Sequence, residues 1–172
     1  MSPRAAWQLE AMGFLDVYDF VGGKAEWIAT GLPTEGNGPH YPLVGEAARR
    51  DVVHECELGS RVGDSRSAMT ETGQSYCVVL NELGILMGRL RKRHFTGSDD
   101  RIVDDVMETG PPTVRPTESA AVLLKRMKAR DVPAVLVTTP KGRFVGIARK
   151  QDLERLVAAR ETQQYAGQDR RR

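Results

Sequence analysis

Two stretches of this chain are near copies of each other, and an internal repeat constrains a fold more than any single motif does. The first runs Cys77-Val78-Val79-Leu80-Asn81, a short turn, then Ile85-Leu86-Met87-Gly88-Arg89-Leu90-Arg91-Lys92-Arg93-His94-Phe95. The second runs Ala134-Val135-Leu136-Val137-Thr138, a turn, then Phe144-Val145-Gly146-Ile147-Ala148-Arg149-Lys150-Gln151-Asp152-Leu153. Each is an apolar strand, a turn, an apolar strand closing on glycine, and a polar stretch entering a helix. A unit of about 50–60 residues cannot stand alone, because its sheet leaves an apolar face uncovered. Two units packed together cover both faces. The cleft between them then matters more for function than any one side chain.

Each unit reads β-α-β-β-α, which places the chain in the α/β (α+β) class. In the first copy, Ala47 to Val53 forms a helical turn and Val62 to Met69 a weak short helix closed by Gly73. Asn81-Glu82-Leu83-Gly84 is hairpin-turn material, and Phe95 to Asp100 is a polar connector. The second copy opens at Val103-Asp104-Asp105-Val106-Met107, where Asp105-Val106-Met107 echoes Asp51-Val52-Val53 at a separation of 54 residues. Thr113-Val114-Arg115 is extended, bracketed by Pro112 and Pro116. Thr117 is positioned to cap the next helix, with Glu118 in its first turn. Ala120, Ala121, Leu123, Leu124 and Met127 make one apolar face. Pro140-Lys141-Gly142-Arg143 is the second hairpin turn. Asp152 to Ala159 is the last helix, with Leu153, Leu156 and Val157 inward. The polar tail after Arg160 reads as frayed.

Upstream, Ala5 to Met12 shows helical spacing that Gly13 ends. Phe14 to Phe20 reads as a strand and Ala25 to Thr30 as a short helix with Trp27 and Ile28 inward. Thr34 to Pro42 is rich in glycine and proline and reads as a linker. The expected organisation is an extension over 1–36, a linker over 37–44, repeats over 45–97 and 98–158, and a tail over 159–172.

Composition excludes more than it names. The formal charge is +2 on a chain that is 28% charged, so overall charge points to no partner. Aromatic residues make up 6%, too few for a base-stacking platform. Two cysteines, Cys56 and Cys77, do not make a disulfide-stapled secreted domain. No segment reaches the roughly 18 apolar residues of a membrane span, and the first residues lack a signal peptide's apolar stretch. The expectation is a soluble, cytoplasmic protein with Cys77 as a small buried hydrophobe. His40, His54 and His94 have no metal-ligand spacing, and neither a nucleophile elbow nor a phosphate-binding glycine loop occurs. No catalytic residue and no cofactor is expected.

The repeated pattern resembles a tandem pair of CBS (cystathionine β-synthase) modules over about Gly45 to Ala158. The match is strongest from Asp105-Val106-Met107 through Thr113-Val114-Arg115-Pro116 and Val132-Pro133-Ala134-Val135-Leu136-Val137 to Gly142–Leu153. The resemblance implies a non-catalytic regulatory module, a homodimer formed through the repeats, and clefts that bind AMP, ATP or S-adenosylmethionine. Family members often end the second hairpin with glycine, two apolar residues, a hydroxyl residue, two variable residues and aspartate. Here Arg149 replaces the hydroxyl residue and Asp152 keeps the ribose-binding position. In the first copy Arg91 follows Gly88-Arg89-Leu90, and His94 stands where the aspartate would be. One equipped site is therefore implied, around Thr113, Val114, Val132, Pro133, Ala134, Arg149 and Asp152, with Arg149 and Arg91 as phosphate contacts. A helix dipole alone would also favour Asp152 in a first turn, and both arginines could simply be solvated.

Residues 2–36 resemble the C-terminal end of a rhodanese domain, through Ala5-Ala6, Leu9, Gly13-Phe14, Val17-Tyr18, Gly22-Gly23, Trp27 and Gly31-Leu32-Pro33. The catalytic cysteine loop of that family would precede this segment. Cys56 has an arginine, Arg61, five positions on, but it lies in the wrong chain order. Glu57 beside it disfavours a thiolate. A rhodanese-type sulfurtransferase and a nucleic-acid regulator using Arg89–His94 remain the alternative readings.

Overall fold

The computed structural model describes residues 3–18, 20, 23, 27, 32–33 and 41–169. Its elements are α1 (Pro3–Ala11), β1 (Ala48–Arg49), β2 (Val53–Glu57), α2 (Val62–Thr72), β3 (Tyr76–Leu80), β4 (Leu86–Leu90), α3 (Val103–Val106), β5 (Glu108–Thr109), β6 (Thr113–Val114), α4 (Ala120–Ala129), β7 (Ala134–Thr138), β8 (Phe144–Arg149) and α5 (Lys150–Asp169). Two 3-10 turns, Val44–Ala47 and Lys92–Phe95, lie among the described residues as well.

The strands form two four-stranded sheets, in the orders β2-β3-β4-β5 and β1-β8-β7-β6. Each sheet is the hairpin of one copy, the strand parallel to it, and a two-residue strand contributed by the other copy. β1 runs antiparallel to β8 and β5 antiparallel to β4. The two units are therefore interleaved. A glycine at the same place in each hairpin permits this. A Cβ on Gly88 would lie 2.5 Å from the Met107 sulfur, and one on Gly146 would lie 2.9 Å from the Arg49 carbonyl oxygen.

A pseudo-twofold relation follows. Leu86 N–H donates to the Gly142 carbonyl at 3.0 Å and Phe144 N–H donates to the Gly84 carbonyl at 2.9 Å. Val62 N–H donates to Arg101 and Val103 N–H to Ser60, while Val44 N–H donates to Glu118 and Ala120 N–H to Pro42. Equivalent residues lie 58 apart, as Tyr76 and Ala134 opening β3 and β7 do. The 54-residue echo of Asp51-Val52-Val53 is thereby corrected. Those residues form a turn into β2, whereas Asp105 and Val106 belong to α3.

Side-chain alternation gives each sheet two apolar faces, and three clusters result. One lies under the helices of the second copy, with Val44, Ala120, Leu123, Met127, Val137, Ala148 and Leu153. Another lies under α2, with Cys56, Val62, Cys77, Val79, Leu90 and Val103. The third joins the sheets, pairing Val53, Val78 and Leu80 with Leu136, Phe144 and Ile147. It buries the face that a lone unit would expose.

Several local expectations change. Residues 14–18 form no strand, no described residue forms a ladder with them, and Phe14, Leu15 and Tyr18 are exposed. The helical turn expected over Ala47 to Val53 sits earlier, at Val44–Ala47, where Glu46 accepts a hydrogen bond from Leu43 N–H at 2.9 Å. α2 runs on to Thr72 and ends at Gly73, whose φ of 67° is left-handed. Thr117 does not cap α4. The helix starts at Ala120 after Ser119, Glu118 instead pairs with Arg126 at 3.0 Å, and Ala121 is exposed. The last helix continues to Asp169 rather than fraying after Arg160, over a run of helix-favouring Arg, Glu, Gln and Ala. The helix expected over 25–30 and most of the linker lie outside the described residues. Trp27 is an exception, half-buried and edge-on to Phe20 at 5.2 Å. Among the described residues, no helix is long and apolar enough to cross a membrane.

Candidate functional site

Asp152 is fixed by local chain logic. Strand β8 ends at Arg149, the helix α5 begins at once, and Asp152 falls in its first turn. Arg149 pairs across the ladder with Ala134, and the Lys150 N–H donates to the Pro133 carbonyl at 2.8 Å. Pro133, Ala134, Arg149 and Asp152 are therefore brought together by β7, β8 and the helix start.

The Asp152 carboxylate is 8% exposed and accepts from two arginines. Arg149 Nε donates to Oδ2 at 2.5 Å, and Arg155 Nη2 donates to Oδ1. Burial alone would raise its carboxyl. The Arg149 hydrogen bond and the charges of Arg149 and Arg155 outweigh that and hold it below the ordinary carboxylate value. Arg149 is raised in turn, first by its hydrogen bond to Asp152. Arg49 and Asp51, paired at 2.6 Å through Arg49 Nη2, lie close enough for their charges to act on this group.

The remaining expected residues divide. Thr113 stands on β6, and its hydroxyl accepts from Thr138 Oγ1 at 3.0 Å. Val114 and Val132 are half-buried, each packed on one side against the helix-side core. Arg91 does not join Asp152. It belongs to the pseudo-equivalent cluster of the other sheet, where its Nε lies 2.7 Å from Glu108 Oε2.

Strand exchange builds that second cluster. Glu108, on β5, arrives opposite Arg89 and takes a 2.7 Å hydrogen bond from its Nη2, with Arg93 3.8 Å away. The Arg89 hydrogen bond leads the causes that lower the Glu108 carboxyl to about 2; burial opposes it and Arg91 adds to it. Nδ1 of His94 accepts from Arg91 N–H at 3.0 Å, and burial, then the neighbouring Arg93 charge, lower its pKa. Within the basic run, Arg89, Arg91 and Arg93 thus converge on one glutamate.

Sequence reasoning passed over Glu108, Arg49, Asp51 and Arg155. Arg155 was within reach of the sequence, since it lies three residues after Asp152 on the same helix face. Glu108 and Arg49 were not, because only strand exchange carries them into the other copy's cluster.

Cys56 lies in β2, not in a loop. It is 7% exposed, with its sulfur 3.6 Å from that of Cys77 and 3.3 Å from the Val78 carbonyl oxygen. Hydrogen bonding to Cys56, followed by burial, pushes the Cys77 thiol up. A buried strand thiol has none of the loop amides that would cradle a persulfide. A hollow of about 340 Å³ opens elsewhere, lined by Glu57, Leu58, Leu80, Asn81, Glu82 and Leu83. It shares no residue with the expected site.

Comparison with known proteins agrees with this architecture. Residues 103–159 match the CBS domain family. No curated protein sequence matches the chain. Among solved structures, the cytosolic domain of the Mg2+ channel MgtE in complex with ATP superposes with a TM-score of 0.59 at 20% identity, covering 67% of this chain and 49% of that one. The chain thus spans about half the length of that domain. CBSX2 in complex with AMP gives 0.59 at 17% identity, covering 71% of this chain and 98% of the other. The CBS domain pair of protein MJ0100, in complex with 5'-methylthioadenosine and S-adenosyl-L-methionine, gives 0.55 at 16%, covering 69% and 98%. At these identities the likeness establishes the fold: two sheets and their helices arranged as in a CBS pair.

Proposed function

We propose that the chain is a non-catalytic regulatory CBS-pair module that binds an adenosine-containing ligand, AMP, ATP or S-adenosylmethionine, beside Asp152. The observation that carries this reading is the buried, ionised Asp152 carboxylate, next to the Pro133–Ala134 backbone and flanked by Arg149. A carboxylate accepts from ribose hydroxyls, backbone groups of Pro133 and Ala134 reach an adenine edge, and a guanidinium takes phosphate. In the free protein Arg149 occupies one carboxylate oxygen. A nucleotide would draw Arg149 to its phosphate and free that oxygen for the ribose. The MgtE, CBSX2 and MJ0100 structures, each with an adenosine compound, support the ligand class.

The first-copy cluster supports a division of labour. It has Arg89, Arg91 and Arg93 on a single Glu108 and His94 in place of the aspartate. Such a site offers three guanidiniums to one carboxylate and no counterpart of Asp152 at the helix start, so Arg91 serves phosphate contact only. Homodimerisation through the repeats belongs to the same proposal. The exposed Ala121 and Val122 on the outer side of α4 support it, and sedimentation equilibrium would measure it.

Thermal-shift titration with AMP, ATP and S-adenosylmethionine tests the ligand. Binding to the folded state alone adds about 2.7 kcal/mol at a hundredfold excess over Kd. Asp152→Asn should abolish the shift while leaving the unliganded protein folded by circular dichroism. No shift with any of the three, or an unchanged shift in Asp152→Asn, rejects the site.

A further inference from the structure

The hollow of about 340 Å³ lies at the carboxyl ends of β2 and β3. Its counterpart in the second copy can be read from the register. Glu57 pairs with Leu80, both hairpins bulge just before their last β3 or β7 residue, and Leu80 corresponds to Thr138. Glu57 therefore corresponds to Arg115, and Asn81 to Thr139. In the second copy a guanidinium fills this place. Arg115 Nη1 donates to the Thr138 carbonyl at 3.2 Å, to Thr138 Oγ1 at 2.6 Å and to the Thr139 carbonyl at 2.8 Å.

The first copy keeps the framework and reverses the charge. Glu57 stands at the arginine's position, and Glu82 stands where the second copy has Pro140. Both glutamates are exposed and neither is in an ion pair among the described residues, while Arg143 of the second hairpin turn borders the hollow, its Nε donating to the Leu83 carbonyl at 3.1 Å. Leu58 and Leu83, 39% and 69% exposed, add apolar wall beside Leu80. Two unpaired carboxylates and three leucines around a cavity match one shape of ligand: a cationic fork on a hydrocarbon stem.

We propose that this hollow binds an alkyl-guanidinium group supplied from outside the chain. Glu57 and Glu82 accept its N–H groups, and Leu58, Leu80 and Leu83 pack its methylenes. A planar guanidinium suits paired carboxylates better than an ammonium does. The group reaches the site either as a free small molecule or as an arginine side chain of a partner protein. The site shares no residue with the Asp152 cleft, so the two stand or fall separately.

Agmatine titration of the isotope-labelled full chain, followed by amide NMR, tests this. Saturable shifts confined to residues 57–58 and 80–84 are expected, weaker with butylamine and lost in Glu57→Gln/Glu82→Gln. Glu57→Arg, which supplies the guanidinium within the chain, should raise Tm and abolish the agmatine response. A blocked Leu-Arg-Leu peptide binding at least tenfold tighter than agmatine assigns the source to a partner's arginine; equal or weaker binding assigns it to a free cation. No saturable shift with either probe, or shifts unchanged in the double glutamine variant, overturns the proposal.

Discussion

Gly146 lies against the backbone of Arg49, so closely that a Cβ would come within 2.9 Å of the carbonyl oxygen and 3.0 Å of the carbonyl carbon and amide nitrogen. Gly146 also has a φ of 155°, which side-chain-bearing residues rarely adopt. Gly146→Ala should therefore cost about 1–3 kcal/mol through overpacking, with strain added. Gly88→Ala meets first the Met107 thioether, which can move, and then the Glu108 carbonyl at 3.0 Å. Urea denaturation should rank Gly146→Ala as the more damaging. Equal costs would mean that the exchanged strand β1 yields as easily as Met107 does.

The pH response of the first-copy cluster follows from Glu108. Its folded pKa is depressed to about 2 from an ordinary 4.5. A depressed carboxyl stabilises the fold fully above its unfolded value and loses that effect as pH falls through the folded value. The loss should run from about 4.5 down to about 2. Asp152 is depressed too and contributes to the same acid-side decline. Glu108→Gln should make the slope of Tm against pH shallower in this window while leaving the Asp152 share. Parallel slopes for the two proteins would show that Glu108 is not held by Arg89 and Arg91.

The hairpins were legible in the sequence because they combine apolar strands with Asn81–Gly84 and Pro140–Arg143 turns; both hairpins form, but their second strands run past Gly88 and Gly146 to Leu90 and Arg149 instead of closing on the glycines. Asp152 was legible for a similar reason, since the position of a first-turn residue after a strand is local information. What escaped was non-local. The pairing of β1 with β8 and of β5 with β4 leaves two-residue strands, too short for any period to show. Residues 14–18 have strand-like composition but find no ladder partner among the described residues. Ala120 N–H is satisfied by the Pro42 carbonyl, from the segment just before the first copy, so the helix start did not need the local cap that Thr117 offered.

The sheet-to-sheet core makes a separate prediction about cooperativity. Leu136, 5% exposed, packs with Val78, Leu80 and Val53 of the opposite sheet. Leu136→Ala removes contacts between copies as well as within one. It should destabilise by about 2–5 kcal/mol. A single, coincident transition by fluorescence and circular dichroism is expected in wild type, because neither unit covers its own apolar face. Two resolved transitions in the variant, with an unchanged stability of one, would show that the copies fold independently.

Arg115 holds the end of β7 much as a plug holds a socket. One of its terminal nitrogens serves three oxygens, two of them on Thr138, which is 2% exposed. Removing it leaves the Thr138 carbonyl and hydroxyl short of a donor in a buried position. Arg115→Ala should cost about 1–3 kcal/mol for the unsatisfied groups, whereas Arg115→Lys, a point charge without the fork, should recover only part of it. Guanidine chemistry then offers a specific check: millimolar ethylguanidine should restore stability to Arg115→Ala more than to wild type, well below denaturing concentration. Equal effects on both proteins would mean that the vacated space collapses, and that the guanidinium is not held by the strand-end oxygens.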